Sequence, residues 1–301
     1  MSRVKRSIQA DDLSEVISLF HEYEQTVYGT VQTSLKMIRD LVVKTEREDK
    51  VGLWVRGVLR GVSFLTHRDH RLPSLVLTVK DEGTEGYIEE LIGSLIGSLI
   101  ESGKRWKAEG IREKSIVISA NTPEERIAFE KAGFSIQRHW HQMSTELTET
   151  AVPVSPYLVR PFILGTDERA LYEAYEEIFA AHYDYHPTTW EEFNQRFFIP
   201  GDSTDRWLLM IDKEKVIGFV LSRADGETKV GEITHLGMKR EYRRMGLGLQ
   251  LLRQSFDGLH RAGMTHAALL VDSDSPTHAA LLYKKAGMTI QRTFTRYDLP
   301  L

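Results

Sequence analysis

The chain of 301 residues contains no cysteine. Without a thiol it can form neither disulfide bonds nor thiolate metal sites, and it cannot pass an acyl group through a cysteine. The lack of cysteine fits a reducing compartment, and no N-terminal apolar stretch resembles a signal peptide. We therefore expect a cytoplasmic protein.

Neither sign of charge dominates, and long apolar runs are missing. The 39 Lys and Arg residues against 43 Asp and Glu residues give a net charge of -4, which provides no general attraction to nucleic acid or to an acidic membrane. The longest apolar tract, 91–100, is too short and too interrupted by Gly and Ser to span a bilayer, and it predicts a buried helix. We expect a small molecule as the partner, with no nucleic acid and no membrane.

The length predicts roughly two domains.

The most informative motif is Arg243–Gly248. It follows a run typical of a strand, Glu232–Met238, and precedes apolar residues at helical spacing that stop before Gly263. A helix is therefore predicted to begin at the glycines, where unpaired main-chain N–H groups and the positive end of the helix dipole can hold an anion.

Composition within the motif favours an anion over a simple turn. Gly246 and Gly248 allow close approach to the main chain, and Arg243 and Arg244 add positive charge. A strand-to-helix turn with glycines for packing is the simpler alternative. The motif is not a nucleotide P-loop, because the Lys-Ser/Thr that would follow its last glycine is absent. It is not a dinucleotide fingerprint either, because the Gly-x-Gly-x-x-Gly pattern is absent.

Both halves of the chain repeat one plan. A polar, proline-containing stretch at 148–156 is typical of a linker and separates 1–147 from 157–301. One constant shift aligns three pairs of residues, and a slightly larger shift aligns a fourth pair: Arg6 with Arg160, Asn121 with Ser275, Gly133 with Gly287, and Gly61 with Gly218. Each half alternates strands and helices, which predicts an α/β layer fold.

Strand, Arg-x-x-Gly-x-Gly and helix resemble the acyl-CoA pyrophosphate loop of the GNAT superfamily of N-acetyltransferases. The resemblance covers nearly the whole chain, in particular to tandem members of the mycothiol synthase type, and it rests on residues 231–233, 236–238, 243–248, 271–277 and 282–288. It implies two tandem GNAT-like domains of the α/β class, each with a central mixed, mostly antiparallel sheet flanked by helices. It also implies acetyl-CoA as the co-substrate, without a metal.

The resemblance also assigns roles to residues. Glu232 would act as general base, and Tyr283 would protonate the departing thiolate. The strand end at 236–238 would splay from 267–271 and leave a gap for the pantetheine arm. The residues expected to contact acyl-CoA are Leu236, Gly237, Met238, Arg243, Arg244, Met245, Gly246, Leu247, Gly248 and Ser275. Ser275 and Pro276 predict the start of the helix that carries Tyr283, although the family more often has Asn at this position.

Several alternatives stay open in this half. His235 competes with Glu232 as base, because an imidazole titrates near neutrality. Their odd spacing would send them to opposite faces of a strand unless a bulge intervenes, so we expect only one to face the substrate. For Glu232 the structural alternative is an interstrand ion pair, and for Tyr283 it is packing. His182 and Tyr185 fall in a segment that shapes the acceptor pocket in this family, so we expect them to contact the acceptor.

Residues 1–147 depart from the motif. Their corresponding segment, 79–87, has acidic residues in place of the arginines, and Phe129 stands where the other half has Tyr283. We therefore predict a degenerate N-terminal domain and a catalytic C-terminal domain, 157–301. The predicted function is direct acetyl transfer from acetyl-CoA to the primary amine of a small molecule, by a monomer or homodimer. The alternatives are acetylation of a protein amine and a non-catalytic acyl-CoA sensor or interaction module.

Overall fold

The computed structural model describes residues 2–67, 72–79, 87–110, 115–149, 155–183, 185–199, 201–275 and 278–301. The strands are β1 (Arg3–Ser7), β2 (Lys50–Val55), β3 (Val58–Leu65), β4 (Leu72–Thr78), β5 (Ser115–Ala120), β6 (Ser135–Glu146), β7 (Leu158–Pro161), β8 (Leu208–Asp212), β9 (Lys215–Asp225), β10 (Val230–Met238), β11 (His266–Asp272) and β12 (Thr289–Pro300). The helices are α1 (Leu13–Tyr28), α2 (Leu35–Lys44), α3 (Ile88–Ala108), α4 (Pro123–Lys131), α5 (Glu168–Phe179), α6 (Trp190–Phe197), α7 (Leu247–Arg261) and α8 (Ala279–Lys285). Residues 150–154 of the predicted linker and residues 80–86 of the N-terminal segment that corresponds to the phosphate loop lie outside the described residues.

Packing divides the chain into two units. Unit 1 contains the residues up to Trp140 together with Thr293–Leu301, and unit 2 contains His141–Arg292. This division differs from the halves expected from the linker, because β6 and β12 each have one part in either unit. In unit 1 the last strand, β12, is the neighbour of β5, since 295–300 pair antiparallel with 115–120.

In unit 1 the strands follow the order β1, β2, β3, β4, β5, β12, β6. The β4–β5 pair is parallel, whereas the pairs from β1 to β4 and the β12–β5 pair are antiparallel. Helix α3 confirms the buried helix predicted for 91–100, because Leu91, Leu95 and Leu99 are each at most 1% exposed. None of the described helices is both long and apolar enough to cross a membrane.

Unit 2 has the strand order β12, β6, β11, β10, β9, β8, β7. Its β10–β11 pair is parallel, and the pairs from β10 to β7 are antiparallel. Apolar residues of α7 and α8 form one core with the sheet, and aromatic residues of α5 and α6 form another. Both units therefore contain the mixed, mostly antiparallel sheet with flanking helices that the sequence predicts.

Matching ion pairs support the internal repeat. Arg6 Nη1 and Nη2 lie 2.6 and 2.7 Å from the carboxylate oxygens of Asp12, and Arg160 holds Asp167 at the same two distances. Each guanidinium lowers the pKa of its aspartate, and a main-chain N–H adds to the effect. The aligned arginines thus have one structural role, which is to fix the chain between the first strand and the first helix of each unit.

A second repeated contact orders the loop between the first two helices. Glu24, at the end of α1, accepts from the N–H and hydroxyl of Thr33 at 3.0 and 2.5 Å. In unit 2, Glu176 accepts from the N–H and hydroxyl of Thr188 at 3.2 and 2.9 Å. The unit 2 loop is longer between glutamate and threonine, so it carries additional residues on a shared anchor.

Candidate active site

Helix α7 confirms the predicted helix start. It begins at Leu247, directly after Gly246, which has a left-handed backbone with φ of 79°. In this described segment no side chain caps the helix, and its first turn contains no acidic residue. Helix α6 shows the usual contrast, since Thr189 caps it and acidic residues fill its first turn. The first N–H groups of α7 are therefore left for an external anion.

The two glycines of the motif have different structural roles. A Cβ placed on Gly246 would meet no atom of the described residues within 4 Å, so the space above it is open to a ligand. A Cβ on Gly248 would lie 3.1 Å from Leu282 Cδ1 and 3.6 Å from Met238 Cγ. Gly248 therefore lets α7 pack closely against β10 and α8.

The two arginines also differ. Arg244 is exposed and has a left-handed φ of 62°, next to the exposed Met245. Arg243 instead donates from Nε to Met238 O at 2.9 Å and from Nη2 to Ile178 O at 3.3 Å. The sequence predicts two guanidinium groups at the anion, but the guanidinium of Arg243 is bound to main-chain carbonyls, so Arg244 is the arginine of the motif that presents its charge to solvent.

A gap opens between β10 and β11. Their parallel pairing covers Val230–Glu232 with His266–Ala268 and does not continue in the described residues beyond. Lys239 N–H donates to Ile217 O of β9 at 2.9 Å. Because alternate residues of a strand direct their main-chain groups to opposite edges, the N–H groups of Leu236 and Met238 point to the edge that β11 has left. The gap is where the sequence predicts it.

Strand β10 contains a bulge at Thr234. Its pairing with β9 shifts between Ile233 and His235, so that Glu232 lies opposite Arg223 and His235 lies opposite Leu221. Residues 221 and 223 share a face of β9, and their partners therefore share a face of β10. The spacing predicts opposite faces for Glu232 and His235 unless a bulge intervenes, and this bulge adds the residue that brings them to one face.

Glu232 and His235 have different surroundings on this face. The carboxylate of Glu232 is about half exposed and lies 3.6 Å from Arg223 Nε, so the interstrand ion pair expected as the structural alternative is present. The imidazole of His235 packs against three aromatic rings, with centroid distances of 5.5, 5.9 and 5.2 Å to Tyr175, Phe179 and Phe197. Glu232 is thus open to an incoming group, whereas His235 forms part of an aromatic wall.

Tyr283 lies on α8 in the core that also contains Met238 and Leu247. Burial raises its pKa to about 12, so the phenol keeps its proton at neutral pH. The helix start predicted at Ser275 is wrong, because α8 begins at Ala279 after His278. Ser275 is buried, and its N–H donates to Asp272 O at 3.2 Å to close a turn. Residues 276–277 lie outside the described residues.

The α5–α6 loop (residues 180–183 and 185–189) is organised by Glu176. Besides Thr188, this carboxylate accepts from the hydroxyl of Tyr185 at 2.6 Å, and burial together with that hydrogen bond raises the pKa of Tyr185. His182 packs against Phe179 with ring centroids 5.5 Å apart. Sequence reasoning missed Glu176; the signal that could have found it is a glutamate late in the first helix with a threonine 9 or 12 residues later in each half. Within the described residues no group of three His, Asp or Glu side chains is arranged to hold a metal.

In unit 1, helix α4 holds the place that α8 has in unit 2, and its start is capped by side chains. Thr122 and Glu125 cap α4 reciprocally, and buried Glu125 accepts from the hydroxyl of Tyr23 at 2.6 Å. Phe129, at the position of Tyr283, is fully buried and its ring lies 5.7 Å from that of Tyr297. An acidic group and packed aromatic rings thus lie in unit 1 around the positions that correspond to Ser275 and Tyr283 of unit 2.

Residues 169–288 match the model of the acetyltransferase (GNAT) family, so this part of the chain is similar to N-acetyltransferases. The chain is similar to a mycothiol acetyltransferase of Streptomyces scabiei, with 28% identity over 211 residues that cover 68% of this chain and 66% of the relative. The chain thus spans just under two thirds of that relative.

Two solved structures share the fold over nearly the whole chain. A GCN5-related N-acetyltransferase from Sphaerobacter thermophilus has a TM-score of 0.81 at 21% identity, over 99% of this chain and 95% of that one. A tandem GNAT protein from the clavulanic acid biosynthesis pathway has a TM-score of 0.71 at 12% identity, over 99% of this chain and 98% of that one. The fold of this chain is therefore shared with both proteins.

Proposed function

We propose that unit 2 transfers an acetyl group from acetyl-CoA to the primary amine of a small molecule by direct attack. The observation that carries the proposal is the meeting of two main-chain features at the end of β10. The uncapped start of α7 supports diphosphate binding, and the gap beside Leu236 and Met238 supports binding of the arm that carries the thioester.

The main chain has the larger part in holding acetyl-CoA. The N–H groups around Gly246 and Gly248 bind the diphosphate, with Arg244 as the adjacent exposed charge. The N–H groups of Leu236 and Met238 donate to the thioester carbonyl and strengthen that contact as negative charge develops on its oxygen. Holding both reactants in one cleft then lowers the entropic part of the barrier.

Acid–base chemistry falls to two side chains. Glu232 accepts the proton of the attacking amine, directly or through a water, because it is exposed on the face beside the gap. Tyr283 donates its phenolic proton toward the departing sulfur. His235 shares the face of Glu232 but lies among aromatic rings, so we assign it to the wall of the acceptor pocket, together with His182 and Tyr185.

The acceptor is proposed to be a small molecule. The similarity to a mycothiol acetyltransferase supports this class. The aromatic wall and the anchor of the α5–α6 loop at Glu176 support a shaped pocket rather than a flat surface, which favours a compact amine over a protein side chain.

The test is turnover with a panel of amines. Purified protein is incubated with acetyl-CoA and each amine or a metabolite extract, free thiol release is followed, and mass spectrometry identifies acetylated products. We expect thiol release that depends on the amine and falls strongly in Glu232→Gln. Saturable acetyl-CoA binding without turnover on any amine would identify a sensor instead, and acetylation confined to added proteins would overturn the small-molecule acceptor.

A further inference from the structure

Three consecutive residues in the last turn of α5 contact two separate loops. Glu176 anchors the α5–α6 loop through Tyr185 and Thr188. Glu177 and Ile178 instead contact the β10–α7 loop (residues 239–246), which leads into the proposed diphosphate site. One helical turn thus touches both the loop beside the cofactor and the loop beside the acceptor.

The contacts on the cofactor side are made by two cations. Lys239 Nζ lies 2.6 Å from Glu177 Oε2, and only 18% of the lysine side chain is exposed. Arg243 bridges the carbonyl oxygens of Met238 and Ile178 at 2.9 and 3.3 Å. Because hydrogen bonds from a charged donor are stronger than neutral ones, the bridge joins the end of β10 and the end of α5 to the loop.

The loop itself is a segment that a ligand can stabilise. It contains two left-handed residues, Arg244 and Gly246, and local openings of such irregular segments cost less free energy than opening the core. An anion bound at Gly246 stabilises the loop conformation described here, and that conformation includes the bridge from Arg243 to α5.

We propose that Arg243 is a positioning residue that transmits acyl-CoA binding to the α5–α6 loop through the last turn of α5. This inference rests on the proposed function, because it requires the diphosphate at the start of α7. Occupancy of the cofactor site stabilises the β10–α7 loop, the bridge holds Glu176 in place, and Glu176 holds Tyr185 and Thr188. The enzyme then presents an ordered acceptor pocket once acyl-CoA is bound.

Comparison of the two units separates the shared part from the added part. The anchor from glutamate to threonine is present in both units, from Glu24 to Thr33 and from Glu176 to Thr188. In unit 1 the N–H of Gln32 is a further donor to Glu24 at 2.7 Å, and in unit 2 the hydroxyl of Tyr185 is a further donor to Glu176. In unit 2 the bridge from Arg243 to Ile178 O lies two residues along α5 from this anchor, so the same helical turn contacts both loops.

Hydrogen exchange of the full chain, with coenzyme A as the probe, tests the proposal without knowledge of the acceptor. In the wild type we expect saturating coenzyme A to slow amide exchange in peptides from 240–250 and, by about fivefold or more, in peptides from 176–189. In Arg243→Met the first effect should persist and the second should be lost. Arg243→Lys, which keeps a donor for one carbonyl, should restore part of the second effect.

Arg244→Met is the matched control. It removes the neighbouring exposed charge, so coenzyme A should bind more weakly, yet at saturation both peptide regions should be protected. Lys239→Met serves as a second probe of the link if Arg243→Met fails to fold, and it should reduce protection of 176–189 alone.

The outcomes distinguish this inference from the proposed function. Wild-type protection confined to 240–250, full protection in Arg243→Met, or loss of coenzyme A binding itself in that variant would each overturn the link while leaving the cofactor site in place. If coenzyme A protects neither region of the wild type, the placement of the cofactor is wrong and the link is overturned with it.

Discussion

Arg160 and Asp167 form a bidentate ion pair of which the aspartate side chain is only 6% exposed. Because Arg160 lowers the pKa of Asp167, the pair stabilises the protein fully above the unfolded pKa of Asp, about 4, and this stability is lost as the pH falls through the lower folded pKa. We expect Arg160→Met to reduce the free energy of unfolding at pH 7 by about 1.5–3 kcal/mol. Below about pH 4 the difference from the wild type should shrink.

Urea unfolding at pH 7 and pH 3 measures this difference. The control is Arg169→Met, which removes an exposed pair with Glu173 on α5 and should leave the unfolding midpoint nearly unchanged. A difference from the wild type that is the same at both pH values would mean that the arginine acts through packing and not through the charge of Asp167.

Tyr283→Phe removes the proton that we assign to the departing sulfur. Turnover should fall by about a hundredfold, while the affinity for acetyl-CoA changes little because the ring is kept. Since burial raises the pKa of Tyr283 to about 12, its deprotonation should not lower the wild-type rate between pH 7 and 10. Steady-state kinetics over this range is the measurement.

Tyr297→Phe is the control for that substitution. Tyr297 is also buried, its pKa is also raised to about 12, and its hydroxyl donates to Glu130 in unit 1 at 2.8 Å. Equal losses of turnover in the two variants would point to stability rather than proton donation as the cause.

At the scale of the element, the glycines at the two ends of α7 can be compared. Gly246 and Gly263 have similar left-handed φ values, 79° and 82°, and a Cβ on either meets no described atom within 4 Å. Glutamate at either position should therefore cost a similar backbone strain of about 1–2 kcal/mol. Only Gly246→Glu places a carboxylate at the positive end of the helix, where it competes with the diphosphate.

Isothermal calorimetry with acetyl-CoA compares the two substitutions. We expect Gly246→Glu to abolish measurable binding and Gly263→Glu to bind as the wild type does. Unchanged binding in the Gly246 variant would show that the cofactor lies elsewhere.

Some elements follow from sequence pattern and others do not. The start of α7 and its stop before Gly263 are visible because glycine and helical spacing act locally. The bulge at Thr234 is not visible, because it depends on pairing with β9. The role of Arg243 is also hidden, since nothing local distinguishes it from Arg244. Its partners Met238 and Ile178 come from the end of the strand and from a distant helix.

The sequence predicts the start of α8 too early. Ser275 and Pro276 are good local signals for a helix start, but Ser275 takes part in the turn after Asp272 instead.

At the scale of the whole molecule, the repeat was predictable and the grouping of strands was not. Arg6 and Arg160 align in sequence and make the same ion pair in each unit. The pairing of β12 with β5 joins residues far apart in the chain, and hydrophobic alternation is equally satisfied by either sheet. The strand order of each unit therefore had to come from the structure.

The last nine residues of the chain are expected to be required for the folding of unit 1. Tyr297, 1% exposed, packs there against Phe129, and 295–300 cover the edge of β5. A fragment ending at residue 149 lacks this strand and should aggregate or melt without cooperativity. Within unit 1, Ser135 Oγ lies 3.4 Å from Asp298 O and His139 Nδ1 lies 3.1 Å from Thr295 Oγ1, so the two strands run antiparallel.

A short turn can therefore replace the missing connection. Joining residues 2–140 to 293–301 through an Asn-Gly turn should close a β-hairpin and give a fragment that melts cooperatively in circular dichroism. In that fragment Tyr297→Ala should cost about 3–5 kcal/mol, because it opens a cavity beside Phe129. If the fragment ending at residue 149 melts as cooperatively and at the same temperature as the hairpin-closed one, β12 is dispensable for unit 1 and the division of the chain into these two units does not describe how it folds.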